Sequence, residues 1–457
     1  MREIRLHDTA SGELKTLRPG PSGQVGIYAC GPTVYGRIHV GNARPFVLFL
    51  LLARFLAHEG LDPVTVFNVT DINDKIYAAA TAAGRPSAEL ASEMTRLYRA
   101  DTDALGLGRP THEPRATESI DAIVDEIATL VERDHAYEAG GDVFFRVRSD
   151  PRYGSLSHRR LDDMSQGEGV EGAERKADPL DFALWKGKKP DEDTSWPSPW
   201  GPGRPGWHIE CSAMAEGLLG TEIQIHGGGS DLIFPHHENE AAQTRSARGT
   251  ELARIWMHNG MIQTAGEEKM AKSVGNIAPL HEVVAEFGRE AAIMFLISGH
   301  YRQPLLFSGE ALLDAERRVL RIRNALRNTK PGPSPAAMAR HRDEFYDALA
   351  DDFNTPRALA ALAAWVREAN ASGEPVGDND LREMLETIGL EALTPLEAVA
   401  DPSAIDPAVN ALLVAREEAR AARDFARADA LRDELRELGW EIRDGPAGPE
   451  LFPRESP

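Results

Sequence analysis

The sequence predicts an α/β fold on a parallel sheet, interrupted by an insertion and followed by a C-terminal helical bundle and a small last domain. Three observations carry that prediction. Residues 24–30 and 63–69 are apolar runs of strand length, flanking a helix-length apolar segment, which is the pattern of a βαβ unit. Pro, Gly and charged residues then rise between positions 109 and 205, and a sheet-like pattern resumes only at 222–226. After Phe307 the apolar residues repeat with helical spacing to near the end of the chain.

The elements follow in order. Gln24, Val25, Ile27, Tyr28 and Ala29 lead to Cys30 as a buried strand, and Gly31-Pro32-Thr33-Val34-Tyr35-Gly36 reads as a turn. A helix is expected from about Gly41 to Glu59, stopped by Gly60. Val64, Val66 and Val69 mark the next strand. Residues 186–205 form a Pro/Gly/Trp-rich connector, with a boundary near Gly206. Glu222-Ile223-Gln224-Ile225-His226 returns to the sheet. Val319, Ile322 and Leu326 share one helical face, and residues 356–370 form another helix. A linker at 401–406 leads to one long helix from about Ala408 to Leu438, striped by Leu431, Leu435 and Leu438 and ended by Gly439.

At 457 residues the chain has room for two to four domains. A net charge of −21 argues against general nucleic-acid affinity, which rests on counterion release by basic residues. It leaves room for a specific partner met by local basic patches. The N-terminus lacks the apolar core of a signal peptide, and the longest apolar stretch, residues 45–52, is too short for a bilayer. The expectation is a soluble, cytoplasmic protein with reduced thiols and no membrane association.

The chain has two cysteines, Cys30 and Cys211, and both lie inside motif-like runs. His236 and Glu240 stand four residues apart, on one face of a helix. Two thiolates, an imidazole and a carboxylate make a zinc set. The competing reading is two inert buried thiols and a surface His–Glu pair. A disulfide does not suit the reduced compartment. His39-Val40-Gly41-Asn42 opens the first helix, where free backbone N–H groups suit phosphate. Lys269 and Lys272, in Lys269-Met270-Ala271-Lys272-Ser273, follow Gly266 and could neutralise charge on a transferring phosphate. Taken singly, a lysine pair is equally a solvated face.

In this order on a parallel sheet, the two elements resemble the HIGH and KMSKS signatures of class I aminoacyl-tRNA synthetases. Longer runs narrow the resemblance. Tyr28-Ala29-Cys30-Gly31-Pro32-Thr33-Val34-Tyr35, residues 68–75, residues 181–186 and Gly206-Trp207-His208-Ile209-Glu210-Cys211 look like the cysteinyl-tRNA synthetase family. So do residues 226–232, Phe234-Pro235-His236-His237-Glu238-Asn239-Glu240 and His300-Tyr301-Arg302. The likeness spans about residues 20–445. It implies a Rossmann-like catalytic domain (1–110 and 206–265) holding a connective insertion (111–205). A lysine-loop region (266–310), a helical bundle (311–400) and a small anticodon-binding region (401–457) would follow.

The resemblance also implies the chemistry. One zinc would be held by Cys30, Cys211, His236 and Glu240, and would bind the substrate cysteine thiolate. Soft-ligated zinc prefers thiolate to hydroxyl, so serine could be rejected at binding. Thr70 and Trp207 would line the amino-acid pocket. His39, Gly41 and Asn42 would meet the ATP phosphates, and Gly228, Gly229 and Asp231 the adenosine. Lys269 and Lys272 would stabilise the α-phosphate as pyrophosphate leaves, with Mg²⁺ arriving on ATP. The partners would be L-cysteine, ATP and tRNA-Cys, and the protein a monomer.

Three positions depart from the family pattern: Asn42 replaces the second signature histidine, Ala271 the first serine of the lysine loop, and Leu50 a usual aspartate. For tRNA, Arg317, Arg318, Arg321, Arg323, Arg327 and Lys330 crowd one stretch, and Arg416, Arg420, Arg423 and Arg427 are spaced for one helix face. Acidic neighbours leave the second group equally readable as a solvated face. Residues 353–356 and 427–429 match the family pattern, whereas 448–457 do not. A cysteine ligase acting on an amino-sugar in mycothiol synthesis shares the catalytic core but lacks most of the C-terminal region. A non-catalytic paralogue and a zinc hydrolase are further alternatives, the last weakened because Ala241 stands where a His-Glu-x-x-His site needs its second histidine.

Overall fold

The computed structural model describes residues 2–164, 173–264, 278–395, 406–422, 424–445 and 448–453. An N-terminal antiparallel hairpin, β1 (Arg5–Asp8) and β2 (Glu13–Thr16), precedes the strand read from the sequence, β3 (Gln24–Ala29). Helix α1 (Val40–His58) and strand β4 (Asp62–Phe67) complete the βαβ unit, with β3 and β4 parallel. Helices α2 (Asp74–Ala83) and α3 (Ser87–Asp103) follow.

The insertion has its own architecture. Helix α4 (Ile120–Glu132) covers a four-stranded antiparallel sheet of β5 (Ala136–Ala139), β6 (Asp142–Phe145), β7 (Phe182–Gly187) and β8 (Gly203–Pro205). Its apolar centre is formed by Ile123, Ile127, Val143, Phe145, Phe182 and Trp185, all fully buried. The chain leaves β8 at Pro205, turns at Gly206 and enters α5 (Trp207–Leu219).

Strand β9 (Ile223–Gly229), helix α6 (Glu238–Arg248) and strand β10 (Ala253–Asn259) then return to the parallel sheet, whose order is β10-β9-β3-β4. The chain moves outward from β3 to β4 on one side and through β9 to β10 on the other. The reversal of direction lies between β3 and β9, and ligands of open parallel sheets sit beyond the strand ends at such a point. Short β11 (Ile262–Gln263) pairs with β12 (Leu305–Leu306) across α7 (Leu280–Phe287) and α8 (Arg289–Leu296).

The C-terminal half is helical: α9 (Gly309–Leu326), α10 (Ala339–Ala350), α11 (Thr355–Ala371) and α12 (Asn379–Thr387) pack together. The two-residue strands β13 (Thr329–Lys330) and β14 (Val376–Gly377) brace them. Helices α13 (Pro407–Ala421) and α14 (Phe425–Glu437) and the hairpin β15 (Trp440–Gly445) and β16 (Gly448–Pro453) form a last unit around Val409, Leu435, Ile442 and Leu451. The Arg327 guanidinium lies 4.9 Å from the Phe452 ring, joining this unit to the helical half.

Helix α1 explains the apolar run at its centre. It packs on β3 and β4 on one side and on α7, α8 and α12 on others, so it is apolar nearly all round. By length and composition it could cross a membrane, which the shorter run 45–52 did not suggest, but most of it is buried in the core. Leu50 is part of that core, so the departure there is a packing substitution.

Three expectations need correction. The long C-terminal helix is two helices, because Asp424 caps α14 by accepting from the backbone N–H of Arg427. Consequently Arg416 and Arg420 lie on α13 and Arg427 on α14, so the four arginines do not form one helix face; Arg416 is itself buried, and Arg423 lies outside the described residues. Of the leucine stripe, Leu435 is buried and Leu438 is exposed beyond the helix end. The linker at 401–405 also lies outside the described residues.

Leu51 is fully buried where α1 meets the helical half. Leu51→Ala is expected to cost about 3 kcal/mol by removing core contacts and leaving a cavity. A urea midpoint equal to that of the parent protein would contradict this packing.

Candidate metal and nucleotide site

Three separate segments bring four donor side chains together past the carboxyl ends of β3 and β9. Cys30 is the residue after β3, and its backbone N–H donates to the Gly227 carbonyl of β9 at 3.1 Å. Cys211 sits near the start of α5. His236 lies in the irregular turn entering α6, and Glu240 in the first turn of α6. Gly31 makes the turn possible, because a Cβ there would lie 1.7 Å from the Asn68 carbonyl oxygen. The same Asn68 accepts from the Gly31 N–H through Oδ1 at 2.8 Å and donates to Thr70 Oγ1 at 3.2 Å. The exit of β4 is thereby tied to the cysteine turn.

The four donor atoms of Cys30, Cys211, His236 and Glu240 lie within 4.8 Å of one another, and all four residues are buried. Cys30 Sγ is 3.7 Å from Cys211 Sγ and 3.5 Å from Glu240 Oε1, and His236 Nε2 is 3.0 Å from the same oxygen. Ligands on one tetrahedral zinc are separated by about 3.8 Å for two sulfurs, about 3.6 Å for sulfur and oxygen and about 3.3 Å for nitrogen and oxygen, given ordinary bond lengths. The donor set fits zinc in both chemistry and spacing. The sulfurs are too far apart for a disulfide, and both cysteines are free.

Electrostatics point the same way. Burial, reinforced by Cys211 and Glu240, pushes the Cys30 thiol well above its ordinary range. Thiolates next to a carboxylate in a dry pocket are tolerated only beside a cation. Burial also holds His236 down to about 3, so its imidazole is neutral near pH 7 and can offer a lone pair.

A second layer of histidines, missed from the sequence, orients these ligands. His208 Nδ1 lies 2.9 Å from His236 Nδ1, placed to accept its proton and leave Nε2 for a metal. His226 Nε2 is 2.8 Å from Glu240 Oε2, leaving Oε1 facing the sulfurs. A chain runs from Thr9 Oγ1 to His258 at 2.7 Å, on to His237 at 2.7 Å and to Cys30 Sγ at 3.3 Å. Burial lowers His208 and His258 to about 3 as well. Cys30, His226 and His237 form an overlapping group of three donors. The four-donor set completes a tetrahedron, and His226 is already engaged with Glu240. The available signal was the position of His208, His226 and His237 beside the named residues.

Trp207 stacks on His236, ring centres 4.2 Å apart, and Thr70 is buried next to Asn68. At the N-terminus of α1, His39 and Asn42 form a reciprocal cap. His39 Nδ1 accepts from the Gly41 N–H at 3.1 Å, and Asn42 Oδ1 accepts from the His39 N–H at 3.2 Å. Accepting at Nδ1 leaves the proton of a neutral ring on Nε2, a donor suited to a phosphate oxygen. Gly41 is required by that fold-back: a Cβ would lie 2.8 Å from the His39 ring. Asn42 thus has a structural use for its amide at the place of the second signature histidine. Gly228 and Gly229 end β9, and Asp231 follows in a short turn. Lys269 and Lys272, with Ala271, lie outside the described residues. The chain beyond them is anchored beside His39, where Val40 N–H donates to the Ala278 carbonyl at 3.0 Å.

Known proteins are similar to this chain over nearly its whole length. Residues 16–317 match the family described as tRNA synthetases class I (C) catalytic domain, residues 344–390 the DALR domain, and residues 403–448 the Cysteinyl-tRNA ligase anticodon binding domain. The cysteine–tRNA ligase of Halorhodospira halophila is 44% identical over 97% of this chain and 98% of its own length. That of Alkalilimnicola ehrlichii is 45% identical over the same shares.

The chain belongs to the cysteinyl-tRNA synthetase family. It is an enzyme, a ligase with a class I catalytic domain. Zinc, for which the Cys30 cluster supplies the donors, and ATP belong to its chemistry. Among solved structures, Mycobacterium tuberculosis methionyl-tRNA synthetase in complex with methionyl-adenylate aligns with a TM-score of 0.60 at 18% identity, over 80% of this chain and 88% of the other. The LeuRS of an Agrobacterium radiobacter ternary complex gives 0.60 at 11% identity, over 82% and 84%. At such identities the likeness is one of fold: a Rossmann-like parallel-sheet core followed by helices.

Two outcomes are expected from this geometry. Cys211→Ala removes one of the two sulfur donors, so the purified protein is expected to lose its equimolar zinc on dialysis; full retention in elemental analysis would rule out the four-donor site. Gly31→Ala drives a Cβ into the Asn68 backbone and is expected to lower both zinc occupancy and the melting midpoint.

Proposed function

We propose that this member of the cysteinyl-tRNA synthetase family activates L-cysteine with ATP and transfers it to the 3′ end of tRNA-Cys, with the roles divided as follows. Zinc held by Cys30, Cys211, His236 and Glu240 supplies a soft Lewis-acid centre that favours a thiolate over a hydroxyl. Trp207 and Thr70 shape the amino-acid pocket around it. The observation that carries this reading is the buried donor set at the switch point of the sheet, with spacings that fit one tetrahedral ion.

The nucleotide lies over the end of β9 and the start of α1. His39, Gly41 and Asn42 present the helix N-terminus and the His39 ring to the phosphates. Gly228 and Gly229 allow close approach of the adenosine, and Asp231 accepts from ribose hydroxyls. The cysteine carboxylate attacks the α-phosphorus, the bond to the pyrophosphate oxygen breaks, and Lys269 and Lys272 offset the charge with Mg²⁺ carried by ATP. A hydroxyl at the tRNA 3′ end then attacks the adenylate carbonyl, and AMP leaves. Holding both reactants in line supplies much of the acceleration without a covalent protein intermediate.

The catalytic core occupies 1–110 and 206–265 with the insertion at 111–205, the lysine-loop region 266–310, the bundle 311–400 and the anticodon-binding region 401–457. The arginines of α9 and the residues just past it offer phosphate contacts, although Arg317 and Arg318 share Asp314. The C-terminal match at 403–448 favours this reading over an amino-sugar ligase. We assign the protein to the cytoplasm as a monomer, without membrane association, as the reduced cysteine pair and the family suit.

The test is cysteine-dependent ATP–pyrophosphate exchange on zinc-loaded protein, followed by charging of a tRNA-Cys transcript. Both are expected, with serine activated at least about a hundredfold less efficiently than cysteine. Exchange without charging, and with glucosaminyl-inositol accepted instead, would shift the assignment to the ligase. Absence of exchange with zinc bound would favour a non-catalytic paralogue.

A further inference from the structure

Two motifs have no part in the chemistry above: His300-Tyr301-Arg302, before β12, and the Asp352-Phe353-Asn354-Thr355 turn between α10 and α11. They meet at one carboxylate. Asp352 Oδ1 accepts from the Tyr301 hydroxyl at 2.7 Å and from the His7 backbone N–H at 2.9 Å. Its Oδ2 accepts from Arg302 Nε at 2.8 Å and Nη2 at 2.7 Å, with His300 Nε2 at 3.5 Å. The Asp352 side chain is 7% exposed. Its backbone is left-handed, φ +62°, as is that of Phe353, φ +44°. Neither is glycine, and such strain persists only where the surroundings hold it. The Asp352 N–H adds a bond to the Arg5 carbonyl at 2.9 Å.

The residues so held reach the nucleotide region by one backbone hydrogen bond and by the Arg44 side chain. The Tyr301 carbonyl accepts from the Gly260 N–H at 2.8 Å. Arg44, on α1 and 2% exposed, donates from Nη1 to the Gly260 carbonyl at 2.5 Å and from Nη2 to the His300 carbonyl at 3.3 Å. Residues 260–262 then lie against both halves of the ATP site. A Cβ on Gly229 would be 3.6 Å from Met261 Sδ, and one on Gly41 would be 3.9 Å from Ile262 Cβ. Gly260 itself has no room for a side chain, since a Cβ would lie 2.3 Å from the Gln303 carbonyl oxygen.

We propose that Asp352 is a positioning residue for adenylate formation: a strap from the turn between α10 and α11 through residues 300–302 to the 260–262 segment, which sets the signature helix and the end of β9 in register beneath ATP. The proposal rests on His39, Gly41 and Gly229 being the ATP contacts. Asp352 touches no substrate and acts through Tyr301, Arg302, Gly260 and Arg44. None of the four candidate zinc donors is on the strap, so zinc content and the KM for cysteine are the readouts that separate positioning of ATP from a general structural role.

Asp352→Asn is the sharpest test, because asparagine tolerates a left-handed backbone and keeps the shape while removing the charge. In cysteine-dependent ATP–pyrophosphate exchange, kcat is expected to fall about tenfold or more while KM for cysteine stays within about twofold. Zinc content is expected to be unchanged. Arg302→Ala is expected to do the same, and the double variant to be no worse than the poorer single one, as parts of one unit behave. If Asp352→Asn does not fold, Tyr301→Phe, which removes one hydroxyl, carries the same split at smaller size. The control is Asp181→Asn in the insertion, another buried carboxylate accepting from a tyrosine hydroxyl and a backbone N–H. It is expected to lower the melting midpoint without changing kcat. A kcat for Asp352→Asn within about twofold of the parent, an equal change in cysteine KM and zinc, or an equal kcat loss in Asp181→Asn would overturn the strap. Failure of the parent protein to catalyse exchange would instead overturn the ATP-site reading beneath it.

Discussion

Two sulfurs 3.7 Å apart, a carboxylate and a neutral imidazole share a pocket almost closed to water, and much of the surrounding architecture follows from the need to make that arrangement tolerable. Without a cation, burial pushes both thiols up. The protein meets the demand with ligands from three separate parts of the chain, and with histidines whose burial keeps them uncharged. Each outer histidine has a defined partner: His208 on His236, His226 on Glu240, and His237 on Cys30. The order in the donor set therefore comes from hydrogen bonds one layer away.

The parallel sheet makes this layer possible. Because the strand order reverses between β3 and β9, both strands deliver their following residues to one crevice, and each delivers two kinds of function. The segment after β3 gives first Cys30 and then the His39 cap of α1. The end of β9 gives Gly228 and Gly229, and the segment after it gives first Asp231 and then His236 and Glu240. Metal donors and candidate nucleotide contacts alternate along the same two connections, so the spacing between the sites is set by a few backbone bonds at the strand ends. Helix α1 carries that arrangement into the rest of the molecule. It is buried against the sheet on one side and the C-terminal helices on another, with Arg44 on its first turns grasping the Gly260 and His300 carbonyls.

Legibility of the sequence varied with the length scale of the signal. The βαβ unit was readable because its alternation of apolar run, turn, helix and glycine stop is local; the helix ends of α1 fell within a residue of the expectation. The C-terminal helix pair was misjudged because the Asp424 cap competes with an otherwise continuous helical pattern. Residues 416, 420 and 427 were spaced as if on one helix, and a single break between them dissolved the face. The four donors Cys30, Cys211, His236 and Glu240 were legible through the motifs that contain them. His258 and Arg44 were not, since a lone histidine in a strand and an arginine in an apolar helix carry no local mark of where they point.

By itself the sequence determined the chemistry on offer: two thiols, a His–Glu pair at helical spacing, a glycine-containing helix start, and an α/β core with a helical C-terminal half. Those are properties of residue type and short-range spacing, which periodicity and side-chain chemistry are enough to establish. Only the tertiary structure decided that Cys30 and Cys211, 181 positions apart, lie 3.7 Å from each other, and that Asp352 closes on Tyr301 and Arg302. Long-range pairings of that kind depend on sheet order and on which buried groups can be satisfied at once, and no local pattern encodes either.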